Sequence, residues 1–241
     1  MNEFESEFNI LLNDQSQIGL ASQIVEALAA IREISNTTAI RNLQKSSTIS
    51  INQLAIIQSY LALASRFINP LLRRRNTNDN QQRYNRLLVT SIALMPLRRP
   101  PILLFRNERF ENDIFEVHRK FYFDGLDQKI QFNQFISTTE QVLGRSVFGP
   151  PIVTIMEITP LPNSQRIRSI QDIQKAFNES RIDDGNANWE LEWIYLPETN
   201  FIIDSVIDEV GIFRIKLSEI DETGSLMIPD FEILASNLNS N

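Results

Sequence analysis

The sequence predicts an α+β protein in which helices come first and strands follow. In the first part of the chain the apolar positions recur at helical spacing, as at Ile24, Leu28 and Ile31. Beyond Pro101 the apolar residues instead form short runs rich in β-branched and aromatic side chains, such as Ile152–Ile158. Because the two kinds of segment do not alternate, the pattern favours an α+β arrangement over repeated βαβ units.

The N-terminal segment, residues 1–17, combines acidic residues with phenylalanine before any clear periodicity begins. A loose tail or a short docking segment is expected there. An amphipathic helix is predicted next, over Ile18–Ile34. Because the polar face of this helix is not basic, we interpret its apolar stripe as core rather than as a membrane anchor.

Two more helices are predicted before the strands. Ser50 is a suitable N-cap for the first, which continues as helix or with a one-turn break to Arg75, since Pro70 is tolerated only near a helix start. Residues 76–82 are polar and predict a loop. The second helix covers Tyr84–Met95 and ends at the proline that follows.

Strands are predicted over most of the remaining chain, where short apolar runs are separated by turn residues. The strand candidates are Ile102–Phe105, Ile130–Phe135, Ile152–Ile158, Trp189–Tyr195, Phe201–Val206 and Gly211–Leu217. A short helix is predicted among them, at Gln171–Phe177.

The composition is that of an ordinary globular protein and excludes several classes of function. The chain has 241 residues, 42% of them hydrophobic, which is enough to bury a substantial core. Its net charge of −7 argues against nucleic-acid binding, because such proteins present a basic surface. The sequence contains no run of about 18 apolar residues that would predict a membrane span, and its acidic N-terminus does not resemble a secretory signal peptide. We expect a soluble protein.

The counts of cysteine and histidine limit the possible chemistry. Without cysteine the chain has neither disulfides nor a thiolate nucleophile. His118 is the only histidine, so a two-histidine metal motif is excluded and a Ser-His-Asp triad would need this one residue. No metal site is expected, and we interpret His118 as a surface histidine or as a helix histidine whose ring nitrogens are hydrogen-bonded.

The stretch Trp189–Pro197 has the most informative alternation in the sequence. Side chains two positions apart in a strand share a face, so Glu190 and Glu192 lie on the same side. Apolar residues follow on that face, which indicates the rim of a cleft rather than a fully solvated surface. A surface strand with two solvated glutamates is the alternative.

Two other motifs precede this stretch. Arg106 ends a short apolar run, and Ser137-Thr138-Thr139 follows Phe135 in a β-rich segment. In this order, an arginine, a run of hydroxyl residues and a Glu-x-Glu element resemble the R–S–E class of mono-ADP-ribosyltransferases, which includes arginine-modifying bacterial toxins. Each motif alone is common by chance, but their order and context together make the resemblance informative.

The resemblance covers roughly residues 50–220. Segments similar to those of the family are Tyr60 with Phe67–Arg73, Phe123–Gly125, Leu196-Pro197 and Phe201–Ile203. The chain departs from the family pattern where Thr139 replaces the usual serine and where Asn107 stands in place of a frequent glycine. The link after the glutamates is also slightly longer. These departures keep the reactive groups and change the local loops.

The resemblance implies an ADP-ribosyltransferase-like core of two sheets, mixed and mainly antiparallel, preceded by helices. It assigns residues 50–241 to the catalytic domain. Residues 1–49 are expected to form an N-terminal tail and helical extension, which could serve as a delivery segment, a chaperone site or a helical cap.

The resemblance also assigns roles around NAD, the substrate that this family cleaves. Glu192 would stabilise the positive charge that develops on the ribose, and Glu190 would face the acceptor guanidinium. Arg106 suits the pyrophosphate, because guanidinium N–H groups donate paired hydrogen bonds to phosphate oxygens. Ser137 would bind NAD and position Glu192.

The other expected NAD-binding residues are Phe135, Thr138 and Thr139, with the two threonines shaping the nicotinamide site. A structural alternative exists for each motif. Arg106 could form an ion pair at a strand end, the hydroxyl groups could cap a following helix at Glu140–Arg145, and Phe135 could be a core residue.

The expected activity is transfer of ADP-ribose from NAD to a target protein, on arginine, with release of nicotinamide. An NAD glycohydrolase and a non-catalytic partner-binding module of the same fold are the alternatives. The resemblance to toxins implies a monomeric toxin or effector that is secreted or injected by a specialised system and acts in the cytoplasm of a target cell.

Overall fold

The computed structural model describes residues 3–13, 18–73, 77–109, 112–141, 153–180, 192–209 and 212–222. The chain divides into two compact units, each formed by two stretches of sequence. Unit 1 comprises residues 1–98 and 168–189, and unit 2 comprises residues 99–167 and 190–241. The boundary expected after residue 49 concerns the catalytic activity and stays a prediction.

The helices are α1 Glu3–Asn13, α2 Ile18–Ile34, α3 Thr38–Ser46, α4 Ile51–Ser59, α5 Ser65–Arg73, α6 Asp79–Ala93, α7 Asn112–Asp124 and α8 Gln171–Ser180. A π-helical turn, Tyr60–Ala64, connects α4 to α5. α7 belongs to unit 2 and the other helices belong to unit 1. Within unit 1, α2 packs against α4, α4 against α6 and α3 against α8. None of the helices in the described ranges is long and apolar enough to cross a membrane.

Residues 3–13 of the N-terminal segment form α1, so the loose tail was wrong for this part, and the other expectation, a short docking segment, stays a prediction. Phe8 and Leu11 are one helical turn apart and both are buried, and α1 packs against α6. Glu7 also accepts a hydrogen bond from Arg86 of α6 at 2.9 Å. Phe8 and Leu11 are the buried apolar residues of this short helix. One such pair is not enough to reveal a helical repeat of apolar residues in an acidic sequence.

The strongest local signals predicted the next helices. α2 has the predicted bounds. Ser50 caps α4 in a capping box, because its hydroxyl accepts from the backbone N–H of Gln53 while the Gln53 side chain accepts from the N–H of Ser50 at 2.8 Å. Pro70 lies inside α5 rather than near a helix start. Since α5 begins at Ser65 after the π-helical turn, Pro70 lies in its second turn and removes one hydrogen bond of a short helix.

α6 begins earlier than predicted, at Asp79 rather than at Tyr84. Asn78 caps this helix, with its Oδ1 accepting from the backbone N–H of Gln81 at 2.9 Å and the Gln81 side chain completing a capping box. Polar residues of the predicted loop therefore form the cap and the first turn. The apolar pattern marked the first buried residue, Tyr84, which lies more than one turn after the start of α6.

The strands are β1 Leu104–Arg109, β2 Lys129–Phe132, β3 Ile136–Thr139, β4 Val153–Thr159, β5 Ile167–Ser169, β6 Glu192–Tyr195, β7 Thr199–Glu209 and β8 Ile212–Ile220. They form a sheet of eight strands in the order β2-β7-β8-β4-β1-β3-β6-β5. β4 and β8 are parallel, whereas β1–β3, β1–β4, β2–β7, β3–β6 and β7–β8 are antiparallel. A mixed, mainly antiparallel arrangement was expected. The two-sheet arrangement is not confirmed, because the described strands belong to a single sheet.

Helices and strands are more interleaved in the second part of the chain than the sequence predicted. α7, which was not predicted, lies between β1 and β2. The helix predicted at Gln171–Phe177 is confirmed as α8, which lies between β5 and β6. The predicted strand Ile130–Phe135 covers the end of β2 and the residues that lead into β3. β6 is described from Glu192, so the predicted start of that strand at Trp189 lies outside the described residues.

The core of unit 2 contains apolar residues from the sheet and from α7. Its buried residues include Leu104, Tyr122, Ile136, Met156, Trp193, Tyr195, Phe201, Phe213 and Leu217. His118 of α7 is also fully buried, with its ring centroid 4.8 Å from that of Tyr122 and 5.9 Å from that of Phe213. The surface position considered for His118 was therefore wrong, and the expected position in a helix is the one observed.

A buried carboxylate holds the loop between β4 and β5. Glu219 of β8 is 4% exposed and accepts hydrogen bonds from the Ser164 hydroxyl and, at 3.0 Å, from the backbone N–H of Leu161. Burial raises the pKa of Glu219, and these two hydrogen bonds limit the rise. The same loop reaches the end of β6, where the N–H of Leu196 donates to the backbone oxygen of Arg166 at 2.8 Å. The loop therefore connects β8 to β6.

Phe8→Ala should lower the free energy of unfolding by roughly 3 kcal/mol, because it removes a buried ring from unit 1. Ile10→Ala in the same helix is the matched control, since Ile10 is 45% exposed and its truncation should cost only about 0.5 kcal/mol. Urea unfolding followed by circular dichroism measures both values. Equal effects of the two substitutions would contradict the packing of α1 against unit 1.

Glu219 should give the stability of the protein a pH dependence that Glu219→Gln removes. A raised pKa means that the folded state binds the carboxyl proton more tightly than the unfolded state, in which the pKa is 4.5. The stabilising contribution is therefore complete below the unfolded pKa and is lost as the pH rises through the raised folded pKa.

Urea unfolding of the wild type and of Glu219→Gln from about pH 4 to about pH 8 measures this effect. The free energy of unfolding of the wild type should decrease relative to that of the variant as the pH rises. A difference that stays constant over this range would contradict the raised pKa of Glu219.

Candidate active site

Three neighbouring strands bring together residues that are far apart in the sequence. In the order β1-β3-β6, Thr139 of β3 pairs with Phe105 of β1 and with Glu192 of β6. Arg106 follows Phe105 on β1, and Ser137 precedes Thr139 by two positions on β3. This register places an arginine, a serine and a glutamate on adjoining strands of unit 2.

The Ser137 side chain binds Glu192 directly. Its hydroxyl donates a hydrogen bond to Oε1 of Glu192 across the β3–β6 pair. Both residues are half-buried. A hydroxyl donor on one carboxylate oxygen restricts the orientation of the whole carboxylate group. The structure therefore places Glu192, the glutamate of β6, in a fixed position beside the serine strand.

Arg106 is bound to the same serine. Its Nη1 donates to the backbone oxygen of Ser137 at 3.1 Å, and its Nε donates to Oε1 of Glu108 at 2.7 Å. The side chains of Arg106 and Glu108 are 18% and 12% exposed, so water screens this ion pair only in part. The ion pair that the sequence left open as an alternative thus exists beside the contact with the serine strand, although Arg106 lies inside β1 and not at a strand end as expected.

Glu108 was not among the residues that we predicted from the sequence. It follows Arg106 by two positions, and side chains two positions apart in a strand share a face. The same alternation had already placed Glu190 and Glu192 together. Applied to the strand of Arg106, it is the signal that could have identified Glu108.

The described contacts of the two threonines in the hydroxyl motif go to the backbone. Thr138 is buried, and its hydroxyl donates to the backbone oxygen of Trp193 at 3.1 Å. The hydroxyl of Thr139 donates to the backbone oxygen of Gln141 at 2.6 Å. The helix considered at Glu140–Arg145 falls mostly on residues outside the described ranges.

Trp193 follows Glu192 and is anchored at two points. In addition to accepting from Thr138, it donates from its indole Nε1 to Oε1 of Glu140 at 2.9 Å, and it is 3% exposed. Phe135, which immediately precedes β3, is fully buried. These buried residues fix the backbone on either side of the serine–glutamate contact.

Glu190 lies outside the described residues, together with Trp189. Its position relative to Glu192 therefore stays a prediction. Within the described ranges, no group of three or more histidine, aspartate or glutamate side chains is placed to hold a metal ion.

The arrangement offers two opposite charges within one polar network. The Glu192 carboxylate can stabilise a cationic centre, and the Arg106 guanidinium can donate to phosphate oxygens. Ser137 connects them, because its hydroxyl binds the carboxylate and its backbone oxygen binds the guanidinium. This pair suits a substrate that carries phosphate groups and develops a positive charge as it reacts.

Comparison with known proteins gives matches in structure and none in sequence. No family model matches the chain, and no curated protein matches it. The structure is similar to that of exoenzyme S from Pseudomonas aeruginosa in complex with human 14-3-3 protein beta and bound to carba-NAD. The identity is 16%, the match covers 91% of this chain and 97% of that chain, and the TM-score is 0.55.

Two further solved structures show the same similarity. The C3 exoenzyme of Clostridium limosum is 17% identical over 76% of this chain and 93% of that chain, with a TM-score of 0.53. The ADP-ribosyltransferase Vis in complex with agmatine is 12% identical over 81% of this chain and 85% of that chain, with a TM-score of 0.51. Vis is a toxin from Vibrio splendidus.

These identities are low, and the similarity concerns the fold. Structures of the same group include Plx2a, an ADP-ribosyltransferase toxin from Paenibacillus larvae. The chain therefore has the fold of bacterial ADP-ribosyltransferase toxins.

Proposed function

We propose that this protein is a mono-ADP-ribosyltransferase that cleaves NAD and transfers ADP-ribose to a target protein, as a toxin or effector. The observation that supports the proposal most directly is the hydrogen bond between Ser137 and Glu192, with Arg106 bound to the same serine. The fold supports it independently, because similar structures include an ADP-ribosyltransferase and an exoenzyme bound to carba-NAD.

The proposed reaction exchanges one bond at the anomeric carbon of the NAD ribose. The bond from this carbon to the nicotinamide nitrogen breaks, and its electron pair returns to the nicotinamide ring, which leaves as a neutral molecule. The acceptor nitrogen forms a new bond to the same carbon and loses a proton. NAD is consumed as a substrate in this reaction, and it is neither oxidised nor reduced.

Glu192 would act at the ribose. As the bond to nicotinamide breaks, the ribose develops oxocarbenium character, as in glycoside cleavage. A carboxylate that is already held in place stabilises that charge without having to reorganise during the reaction. The Ser137 hydroxyl provides this fixed orientation.

Arg106 would bind the pyrophosphate of NAD through its planar, permanently charged guanidinium. Its contact with the backbone oxygen of Ser137 connects the phosphate-binding group to the strand that orients the carboxylate. Thr138, Thr139 and Phe135 complete the proposed NAD-binding set. Thr138 and Thr139 bind the backbone through their hydroxyl groups, and Phe135 is fully buried, so these residues would shape the nicotinamide site by fixing the backbone around it.

Glu190 would face the acceptor, which we propose to be an arginine side chain of a protein. The guanidinium pKa lies above about 12, so the arginine arrives charged, and the carboxylate must orient it and accept its proton as the new bond forms. The similarity to Vis in complex with agmatine, a small guanidine, supports a guanidine acceptor. The complex of exoenzyme S with a 14-3-3 protein supports a protein partner for this fold.

Glu192→Gln should reduce the rate of NAD cleavage by about 100-fold or more, because the amide keeps the shape of the carboxylate but not its charge. Release of nicotinamide, measured by chromatography, reports cleavage without any target protein. Label from radioactive NAD on the proteins of a cell lysate reports transfer. Glu222→Gln is the matched control, since the Glu222 side chain is 70% exposed and this substitution should leave both activities unchanged.

The outcomes of this experiment distinguish the alternatives. Nicotinamide release by the wild type without labelled protein would favour an NAD glycohydrolase, in which water is the acceptor. A wild-type protein that neither binds nor cleaves NAD would contradict the proposal, and a partner-binding role of the fold would then remain.

Glu190→Gln should separate transfer from hydrolysis. Transfer of ADP-ribose to agmatine should fall by about 100-fold, because the variant lacks the carboxylate that accepts the proton of the guanidinium. Nicotinamide release into water should stay within about three-fold of the wild type. Both products are quantified in one reaction, with Glu192→Gln as the variant that loses both. Equal losses of the two products in Glu190→Gln would place Glu190 at the ribose instead of at the acceptor.

A further inference from the structure

Glu108 is a carboxylate beside the proposed NAD site, and the mechanism above gives it no role. We propose that Glu108 is a positioning residue that holds the Arg106 guanidinium in the orientation required for pyrophosphate binding. The inference rests on the proposed function, in which Arg106 binds NAD. Glu108 acts through Arg106 and does not contact the reacting atoms.

The Arg106 guanidinium is held at two of its nitrogen atoms. Nε donates to Glu108 at 2.7 Å, and Nη1 donates to the backbone oxygen of Ser137 at 3.1 Å. Because the guanidinium is planar, contacts at two nitrogens define both the plane of the group and the directions of its N–H bonds. Loss of the Glu108 contact would remove one of these two constraints and leave the plane of the group less well defined.

The ion pair is shielded enough for this orientation to persist. Its side chains are 18% and 12% exposed, whereas those of the surface pair Lys120–Asp124 are 69% and 64% exposed. Exposed pairs contribute little, because water and salt screen their charges. Glu108 also lies two residues from Arg106 on the same strand, so the backbone itself sets the spacing of the two groups.

A carboxylate near a pyrophosphate also repels it, and this effect opposes positioning. The charge of Glu108 is compensated by Arg106 within hydrogen-bond distance, which weakens the repulsion. An arginine that lacks the Glu108 contact would have to lose more side-chain freedom when it binds the phosphates, and that loss reduces affinity. We infer that positioning outweighs repulsion. The two effects change the affinity for NAD in opposite directions, so an experiment can distinguish them.

Glu108→Ala and Glu108→Gln separate these effects. Alanine removes both the charge and the acceptor, whereas glutamine keeps an amide oxygen that can accept from Nε of Arg106. The Kd and KM for NAD should rise about five-fold in Glu108→Ala and stay within about two-fold of the wild type in Glu108→Gln. The kcat for nicotinamide release should change by less than about two-fold in both variants. A Kd that is unchanged or lower in Glu108→Ala would overturn the proposal.

Glu157→Ala is the matched control for loss of an ion pair in the same sheet. Glu157 of β4 contacts Arg214 of β8 at 3.0 Å, with side chains 15% and 29% exposed. This substitution should leave the KM for NAD unchanged even where thermal unfolding shows a lower Tm. An equal rise of KM in Glu157→Ala and Glu108→Ala would mean that Glu108 acts only through stability, which would also overturn the proposal.

A measurement without NAD tests the contact itself. In a ¹H–¹⁵N NMR spectrum, the Nε–H signal of Arg106 is assigned by its absence in Arg106→Lys. This proton should exchange slowly with water in the wild type and in Glu108→Gln, and rapidly in Glu108→Ala.

The two measurements separate failure of the inference from failure of the proposed function. An Nε–H signal that is insensitive to Glu108→Ala, in a protein that binds NAD, would overturn the positioning role alone. A wild-type protein that does not bind NAD would overturn the proposed function, and the role of Glu108 in NAD binding with it.

Discussion

The hydrogen bond between Ser137 and Glu192 depends on the register of β3 against β6, and the candidate active site depends on that hydrogen bond. A slip of one residue between the two strands would turn one of the side chains to the opposite face of the sheet. Thr138 and Trp193 pair directly opposite each other, and the Thr138 hydroxyl binds the backbone oxygen of Trp193. The indole of Trp193 then binds Glu140 beyond the end of β3. Buried side chains therefore secure the register that orients the carboxylate.

The elements that local physics determines were the ones that the sequence could predict. Ile18–Ile34 repeats its apolar residues over several turns, and Ser50 has the side chain of an N-cap, so both features were predicted as they are observed. α1 depends instead on the packing of Phe8 and on contacts with α6. Its sequence has no long repeat of apolar residues from which the helix could be predicted. The order of the strands, including the parallel pair of β4 and β8, depends on contacts between distant segments. A single sequence does not display such contacts.

The same division applies to the candidate site. The residue types and their order along the chain were readable, and the sheet places Arg106, Ser137 and Glu192 on adjoining strands. Glu108 could also have been predicted, because alternation along a strand places its side chain on the same face as that of Arg106. The contact of Thr138 with Trp193 could not have been predicted, because it depends on the pairing register of two strands that are distant in sequence. The identity of the site residues was therefore easier to predict from the sequence than the contacts between them.

The place of β8 in the sheet has a consequence for how the protein is made. β8 lies between β7 and β4, and it pairs with β4 in parallel although the two strands are far apart in the chain. β1, β3, β4 and β6 precede β8 in the chain and are therefore synthesised before it. A nascent chain thus carries the arginine, the serine and the glutamate while the β4 and β7 edges are still unpaired. The sheet can be completed only after residue 220 has been synthesised, so the scaffold that supports the site is incomplete in any shorter nascent chain.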